Sequence, residues 1–440
     1  MRGRAPAALV ALAALLAAPA APAADWSFDP SVVLGVQYND NVLLVTDPRL
    51  NSSYTVGDWI GVLSVALPVT ATTPRSSTSF TLTPTRYQYD NKSVPDAPDG
   101  PADLSDLSYT DYTASLGWTF NQSTRTTWEV TGAGARSDRQ GVSYDNVQQD
   151  LFVLPPTTTT SWGAMGSGTF RLSERAAWIV RLGTSGTHYA SNRFVGTEGQ
   201  PVTVDDSMTT ALGLASETRL SPKSQLRVGY IGQYIDNKSL GSDLVQNLGG
   251  AYIYGNAAEG WEFTGRLGVA WLKTADLPDW EPDPDPEPDP DEPELPPERE
   301  EEFRPVFQIS AVRQVLTRSQ VEMGVLQEFT GSNGVEGTAL TLGAYAALRV
   351  PIRQASRFGL AVRYSDRDPV RDTFPSTTTL GGSAEFVAGL SRHWGLGFGV
   401  QYYDQTSDAT IDPTTGPTLE PYNAKYAIYS AVVSWNPTAR

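Results

Sequence analysis

The sequence predicts an all-β fold, an antiparallel transmembrane β-barrel of about 18 strands. Three observations predict it. Apolar and polar residues alternate along nearly the whole chain, the connections between alternating segments are short and long in turn, and aromatic residues gather at the segment ends. The many glycine, tyrosine and threonine residues favour strands and turns, and no segment has the period of an amphipathic helix.

The alternating segments are about ten residues long, which is the length of a tilted strand that crosses a bilayer. Examples are Leu63, Val65, Leu67 and Val69, then Tyr112, Ala114, Leu116 and Trp118, and later Trp394, Leu396, Phe398 and Val400. Because successive side chains of a strand point to opposite faces, each segment has one apolar face and one face of polar or very small residues.

The connections predict which end of the barrel is which. The short ones are 72–77, 121–124, 172–177, 220–224, 255–260, 316–319, 351–356 and 390–393. The long ones lie near 39–57, 90–107, 137–158, 189–205, 236–246, 273–303, 330–337, 365–377 and 404–421. Short turns on one side and long loops on the other are typical of the periplasmic and extracellular ends of an outer-membrane barrel.

Aromatic residues mark both ends of the predicted strands, as expected for rings with an apolar body and a polar tip at a bilayer interface. The tryptophans of the short-turn end are Trp26, Trp118, Trp128, Trp178, Trp261, Trp394 and Trp435. The tyrosines of the long-loop end are Tyr38, Tyr87, Tyr89, Tyr189, Tyr234, Tyr364 and Tyr402.

Two prolines, Pro68 and Pro84, fall inside predicted strands, where proline removes a hydrogen-bond donor. Around Pro84 the apolar positions shift from Phe80 and Leu82 to odd-numbered tyrosines, which predicts a β-bulge. If the third strand is instead misassigned, the count becomes sixteen.

One segment, 281–302, contains eight prolines and twelve carboxylates with the single arginine Arg299. It can form neither helix nor sheet, and it has little apolar surface to offset the entropy of ordering. Alternation resumes at Phe307, so we interpret residues 276–303 as a disordered acidic extracellular loop within the barrel rather than as an interdomain linker. The run supplies −11 of the net charge of −17, and this acidity argues against nucleic-acid binding.

The chain begins with Arg2 and Arg4, an apolar run over 7–18 and Ala21-Pro22-Ala23. This pattern predicts a secretory signal peptide over residues 1–23, which is too short for a membrane-spanning helix. The barrel then occupies residues 24–440. The chain has no cysteine, so its stability has to come from burial and backbone pairing.

Charged residues at the polar positions of the strands are the candidate lumen-lining residues, because a charge facing hydrocarbon at mid-depth costs roughly 2–4 kcal/mol. They are Glu129, Arg181, Glu217, Arg227, Glu262, Arg266, Glu322, Arg363 and Glu385. They can be cross-strand ion pairs that stabilise the interior or the polar wall of a channel, and both interpretations stay open. The mixed signs argue against strong charge selectivity.

The sequence gives little support for catalysis or metal binding. His188 and His393 are the two histidines, and Thr187 cannot share a face with His188 on a strand. No G-x-S-x-G context is present, and a pair such as Asp205 and Asp206 at a loop edge is ordinarily just solvated. The acidic run lacks the spacing of a calcium loop. We predict no enzyme, no cofactor and no metal site.

The first predicted strand runs into Tyr38, Asn39, Asp40, Asn41 and Val42. This start, over 28–48, resembles that of a family of bacterial outer-membrane β-barrel proteins of the porin type, associated with exopolysaccharide or PEP-CTERM-type surface systems. The resemblance implies envelope transport or polysaccharide secretion. The motif also has a structural interpretation, because Asn and Asp side chains cap turns through the backbone.

Together these features predict an integral protein of the Gram-negative outer membrane. We expect a porin-like channel or conduit, for exopolysaccharide export or solute passage. The alternative is a structural or surface-interaction barrel with a plugged or narrow lumen and functional extracellular loops. The expected partners are outer-membrane lipid and polysaccharide or small polar solutes. The sequence does not indicate an oligomeric state.

Overall fold

The computed structural model describes residues 24–40, 57–90, 108–137, 158–189, 193–195, 201–203, 206–237, 241–256, 260–274, 301–315, 318–330, 338–353, 355–370, 376–407 and 423–437. Among them, no helix is long and apolar enough to cross a lipid bilayer. The predicted signal peptide, 1–23, and residues 276–300 of the predicted acidic loop lie outside these ranges.

The described residues form β-strands joined by turns. The strands are β1 (Asp25–Phe28), β2 (Ser31–Asn39), β3 (Asp58–Thr72), β4 (Ser76–Tyr89), β5 (Tyr109–Asn121), β6 (Thr126–Ser137), β7 (Thr159–Arg171), β8 (Ala176–Tyr189), β9 (Arg193–Val195), β10 (Pro201–Thr203), β11 (Ser207–Ser221), β12 (Ser224–Asn237), β13 (Gly241–Asn256), β14 (Trp261–Thr274), β15 (Glu301–Val315), β16 (Ser319–Thr330), β17 (Ala339–Arg353), β18 (Ser356–Pro369), β19 (Thr377–Gly389), β20 (Trp394–Ser407) and β21 (Asn423–Trp435).

The main sheet closes on itself, because β2 pairs antiparallel with both β3 and β21. Strands β1 and β2 pair with successive parts of β3, so they are two halves of one barrel strand. The barrel therefore has 18 strands, all antiparallel to their neighbours, which confirms the predicted fold class rather than the sixteen-stranded alternative. Strands β9 and β10 form a separate two-stranded hairpin between β8 and β11.

The interruption between β1 and β2 is explained by prolines on both sides of the ladder. Phe28 pairs with Val69 and Ser31 pairs with Ala66, so the register is the same before and after the break. Pro30 therefore lies at the level of Leu67, next to Pro68 on β3. Two missing N–H donors at adjacent levels remove ladder hydrogen bonds without displacing the strand.

The bulge predicted at Pro84 is wrong. Ser64 pairs with Thr85 and Leu67 pairs with Leu82, and this register is unchanged on both sides of a two-pair gap. On the other side, β4 pairs continuously with β5 through Pro84 and Tyr112. Proline removes a donor but inserts no extra residue, so the ladder is interrupted and the alternation of faces is not.

At all eight predicted short turns the flanking strands pair to their ends, which confirms short connections there, although residues 257–259, 316–317 and 354 lie outside the described ranges. For four of the turns the sequence explains why the connection is tight. In three of them a serine hydroxyl accepts the N–H groups of the residues two and three positions later: Ser123 at 3.1 and 3.1 Å, Ser173 at 3.2 and 3.1 Å, and Ser391 at 3.3 and 3.2 Å. In a fourth, Gly260 has a φ of 67°, which only glycine adopts readily.

The strict alternation of short and long connections is wrong at one place. The connection predicted at 236–246 spans only the residues between Asn237 and Gly241, because the polar segment that follows pairs with β12 along its whole length. The acidic loop also ends earlier than predicted. Glu301, Glu302 and Phe303 belong to β15 and pair with the end of β14.

Because paired residues on neighbouring strands share a face, the register divides every barrel strand between two faces of one sheet. One face, here called the apolar face, carries large exposed hydrophobic side chains, among them Leu182, Leu248 and Leu267, which are 60, 64 and 68% exposed. The opposite face, the charged face, carries Arg181, Arg227 and the other predicted charges. The division stays the same around the closed barrel, from β2 through β21.

The seven predicted tryptophans all lie at the short-turn end on the apolar face, six of them well exposed. The tyrosine prediction is only partly right. Tyr38, Tyr234, Tyr364 and Tyr402 lie on the apolar face at the opposite end. Tyr87, Tyr89 and Tyr189 lie at that end on the charged face, where Tyr89 and Tyr189 are 8 and 2% exposed. Tyr87 and Tyr89 lie on the charged face because β4 keeps the same register, and so the same alternation of faces, on both sides of Pro84.

Replacing Pro84 with threonine restores a donor in the interrupted β3–β4 ladder. We expect the Pro84→Thr variant to raise the free energy of unfolding by about 1 kcal/mol, the net worth of one hydrogen bond. Guanidinium titration of the protein folded in liposomes measures this. An unchanged or lowered unfolding midpoint would show that Pro84 is not the cause of the missing hydrogen bonds between β3 and β4.

Candidate functional site

The candidate site is the charged face, and all nine predicted charged residues lie on it. The register sets them into rows that cross several strands. Glu129, Ser167 and Arg181 are successive partners on β6, β7 and β8. The Ser167 hydroxyl donates to Glu129 Oε2 at 3.4 Å. Serine therefore stands between an acid and a base that are two strands apart.

The next row contains the shortest ion pair among the predicted residues. Glu217 on β11 and Arg227 on β12 are directly opposite, and Arg227 Nη2 lies 2.6 Å from Glu217 Oε2. The side chain of Arg227 is 28% exposed and that of Glu217 is 25% exposed, so the pair is partly screened from solvent. Along the same row Arg227 pairs with Ala251, and Ala251 pairs with Arg266.

These two rows form one electrostatic cluster. Arg227, Glu129, Glu217 and Arg266 all act electrostatically on Arg181. The cluster contains three arginines and two glutamates, so the positive charge is only partly balanced. This stretch of the charged face, from β6 to β14, therefore carries fixed charges of both signs with a local excess of arginine.

The remaining predicted residues lie farther around the barrel. Glu322 on β16 hydrogen-bonds the Tyr345 hydroxyl, and Tyr345 is directly opposite Arg363. Glu385 lies 3.8 Å from Arg357, both well exposed. Glu262 is on the same face near the short turns. The register also places Arg349, Arg357 and Arg367 on this face, so charges of both signs continue around the barrel.

Several polar residues of this face are not among the predicted ones. Arg304 and Glu302 form an ion pair on β15, and Arg367 and Gln405 are 2 and 0% exposed. Arg367 and Gln405 fall in segments predicted as loops, 365–377 and 404–421, and Glu302 falls in the acidic run. Arg304 alternates with Phe303 and Pro305, which could have identified it as a strand residue, whereas Arg367 and Gln405 stand between polar residues and give no such signal.

At the long-loop end, residues at the tips of β16, β17 and β18 contact residues of the charged face of β12–β15, although the register pairs Phe329 with Leu340 on the apolar face. We call this group, Phe329, Thr338, Leu340 and Val370, the folded corner. Phe329 is 6% exposed in a cluster, and Leu340 and Val370 pack against it. The rest of that cluster is Ile235, Val245, Ala270, Leu272 and Val306, which are 0–5% exposed.

A buried hydrogen bond fixes the folded corner. The Thr338 hydroxyl donates to Asp243 Oδ2 at 2.6 Å, and both residues are 2% exposed. Three strands separate β13 from β17 in the sheet, so this contact is not part of the ladder. The Val370 N–H donates to the Thr338 carbonyl at 3.0 Å, which ties the β18 tip to the same corner.

The motif of the first strand lies at the closure of the barrel. The Asp40 N–H donates to the Ala427 carbonyl at 3.1 Å, and the Ala427 N–H donates to Asp40 Oδ1 at 2.6 Å. The carboxylate thus takes the place of a backbone carbonyl and extends the β2–β21 ladder by one step. Tyr38 packs on Trp59 and Tyr429, with centroids 5.1 and 6.4 Å apart. Residues 41–42 lie outside the described residues.

The two histidines are far apart in the fold. His188 Nδ1 lies 2.8 Å from Asp206 Oδ2 at the long-loop end of the apolar face, and Asp206 Oδ1 accepts the Tyr189 N–H. His393 lies in a short turn, where its Nδ1 contacts the Asn436 carbonyl at 2.9 Å. Within the part of the chain that the structure describes, no three His, Asp or Glu side chains form a group suited to a metal ion.

No protein-family model matches the chain, and no curated protein matches it. Solved structures with a similar fold include OccAB4 of Acinetobacter baumannii, with 10% identity, 94% of this chain and 98% of that chain covered, and a TM-score of 0.45. OpdK of Pseudomonas aeruginosa with vanillate has 9% identity, 93 and 98% coverage, and a TM-score of 0.44. The FrpB iron transporter of Neisseria meningitidis (F5-1 variant) has 7% identity, 94 and 82% coverage, and a TM-score of 0.45.

The Asp40 contact predicts a loss of stability when its carboxylate is removed. We expect Asp40→Ala to lower the free energy of unfolding by about 1 kcal/mol, because Ala427 loses its acceptor. Asp40→Asn keeps an acceptor oxygen and is the matched control, with a smaller loss. Denaturant unfolding in liposomes measures both. Equal losses for the two variants would argue against the hydrogen bond as the cause.

Proposed function

We propose that this protein is a non-enzymatic, porin-like channel of the outer membrane. The observation that carries the proposal is the division of one closed 18-stranded sheet into an apolar face and a charged face. A closed barrel has one face outside and one inside. A barrel that is apolar outside and charged inside needs lipid around it and water within it.

Exposure of the apolar face supports its contact with lipid. Leu182, Leu248 and Leu267 are at least 60% exposed, and in water so large an apolar surface would associate or aggregate. The tryptophans at the short-turn end add an aromatic belt on this same face, as at a membrane interface. The proposed orientation places the short turns in the periplasm and the long connections outside the cell.

Burial supports the inward orientation of the charged face. Nearly all of the most buried described residues lie on it, including Asp58, Val245, Leu272 and Gln405, at 0% exposure. Side chains on a concave surface converge and cover one another, whereas those on a convex surface diverge. The charged face is therefore proposed as the wall of the lumen, with its nine predicted residues lining it.

The wall as proposed suits small polar solutes. The cluster around Arg181, with Glu217 paired to Arg227, offers charges of both signs that can replace part of the hydration of a passing solute. Exopolysaccharide export is the finer possibility, and it rests on the resemblance of the first strand to barrels of such surface systems. A polysaccharide is a polar, uncharged or acidic chain, so the same wall would accommodate it.

A second candidate function is favoured by the folded corner. Thr338 and Phe329 cover part of the proposed lumen wall at the extracellular end, and the cluster beneath them is nearly inaccessible. Such a corner would narrow the mouth. In that case the protein is a structural or surface-interaction barrel with a narrow lumen, and the long extracellular connections would carry its activity.

Planar-bilayer recording tests the channel. We expect the purified, correctly folded protein to give stable unitary currents. Circular dichroism and heat-modifiable migration on gels establish that the inserted sample is folded. If the folded and inserted protein gives no unitary currents, the channel proposal is wrong and the narrow structural barrel is favoured.

The folded corner predicts how the current responds to its removal. We expect Thr338→Val combined with Phe329→Ala to increase unitary conductance, because the corner loses both its hydrogen bond and its packing. Phe303→Ala removes an exposed aromatic at the same end of the apolar face and should leave conductance unchanged. Unchanged conductance in the corner variant would mean that the corner does not narrow the lumen.

The ion pair of Glu217 and Arg227 predicts opposite changes of selectivity. Arg227→Gln leaves an uncompensated carboxylate and should favour cations, whereas Glu217→Gln should favour anions. We expect a roughly twofold change in permeability ratio, equivalent to on the order of 0.4 kcal/mol. Reversal potentials in a salt gradient measure it, and the double variant is the control, with the original ratio. Shifts of the same sign would place the pair outside the conducting wall.

A further inference from the structure

A groove on the apolar face of β15–β18 stands apart from the rest of this surface. Its floor is made by Ala311, Ala344 and Ala346, which lie between larger exposed side chains. The rims are Ile309, Met323, Val325, Val362 and Tyr364, which are 39–51% exposed. The groove is open to the surroundings, its volume is about 470 Å³, and nearly all of its lining surface is apolar.

Arg313 stands at the short-turn end of this groove. It lies on β15 on the same face as Ala311 and two residues farther on, about 7 Å along a strand. Its guanidinium lies over the ring of its cross-strand partner Trp261, 4.6 Å from the centroid. The tryptophan belt marks the level of the membrane interface, so the charge lies where the groove meets the headgroups.

The position of Arg313 is unusual for the apolar face. Apart from Arg353, which follows a register shift at the end of β17 and pairs with Ser356, the other charged side chains on this face of the described strands lie in the half near the long connections. They are Arg86, Arg136, His188, Asp236, Lys273, Glu301, Asp366, Asp368, Asp404 and Lys425. At the level of the inner leaflet, the exposed guanidinium of Arg313 is available to an anionic headgroup.

We propose that the groove and Arg313 together bind one phospholipid with an anionic headgroup, with an acyl chain in the groove and the phosphate on the guanidinium. This inference rests on the membrane orientation given under the proposed function. Arginine favours phosphate because its planar donors match the phosphate oxygens.

The charges favour a lipid over a second copy of this chain. A copy in the same orientation would present its own apolar face, and the acids on that face of the described strands lie at the opposite end. The strands of a second copy would therefore bring no carboxylate to Arg313, and the acid of the described short turns is Glu174, which is not on a strand face. The anion has to come from the surrounding leaflet, where phospholipid headgroups are present at high density.

Native mass spectrometry of the full chain in non-ionic detergent tests the site. The probes are phosphatidylglycerol and phosphatidylcholine with identical acyl chains, with inorganic phosphate as a separate arm. We expect one phosphatidylglycerol bound in preference to phosphatidylcholine, and no displacement by inorganic phosphate. Arg313→Gln should weaken binding about fivefold, the value of one basic residue near an anionic surface.

Two further variants make the test specific. Ala346→Trp fills the groove and should abolish the preference, whereas Ala114→Trp, on the apolar face far from the groove, and Lys273→Gln, at the other end of β14, should retain it. Equal phosphatidylglycerol binding in all variants overturns the proposal. So does a change from oligomer to monomer in Ala346→Trp without a change in lipid binding, which would assign the groove to a second copy.

The outcome is separable from that for the channel. Arg313→Gln and Ala346→Trp lie on the apolar face and should leave unitary conductance unchanged. If the folded barrel conducts no current but still prefers phosphatidylglycerol, the proposed channel function is wrong and the proposed lipid site stands. If the barrel conducts but shows no lipid preference, the proposed lipid site is wrong and the proposed channel function stands.

Discussion

Closure of the antiparallel ladder is the constraint on which the rest of the structure depends. Inside a bilayer no water can satisfy a free strand edge, so every backbone N–H and C=O in the wall needs a partner on a neighbouring strand. Pairing of β2 with β21 provides the last of these partners. At the end of that seam the Asp40 carboxylate accepts one more hydrogen bond, from the Ala427 N–H.

In a closed ladder, every strand must also place its apolar side chains on the same face of the sheet as its neighbours do. A shift of one residue in any strand would carry its large apolar side chains to the charged face and its charges to the apolar face. The register avoids this through 18 strands, including the stretch around Pro68 and Pro84 where hydrogen bonds are missing. Intact pairing on the flanks holds a local gap in place, because the strands cannot slip without breaking the whole seam.

Two places depart from the division into one apolar and one charged face, and both indicate function. On the charged face, the folded corner buries apolar residues such as Val245 and Leu272 at one end of a surface that is otherwise polar. On the apolar face, Arg313 places a charge at the level of the tryptophan belt, beside an alanine-floored groove. Neither is needed for a closed barrel, so each suggests a role of its own: the mouth of the lumen for the first, and a lipid contact for the second.

The sequence by itself determined the features that depend on neighbours along the chain. Alternation gave the strands, the hydroxyls of Ser123, Ser173 and Ser391 gave tight turns, and alternation placed Arg181 and Arg227 opposite the apolar side chains. All of these follow from local geometry, because side chains on a strand alternate whatever the strand pairs with.

Only the tertiary structure decided which strands and side chains meet across long stretches of chain. The hydrogen bond between Asp40 and Ala427 joins residues 387 positions apart, and the one between Thr338 and Asp243 joins residues 95 apart. The face of Tyr87 depended on the register that β4 keeps past Pro84, and the short connection before Gly241 depended on pairing with β12. Pairing energy comes from the partner strand, and the partner cannot be identified from the period of either strand alone.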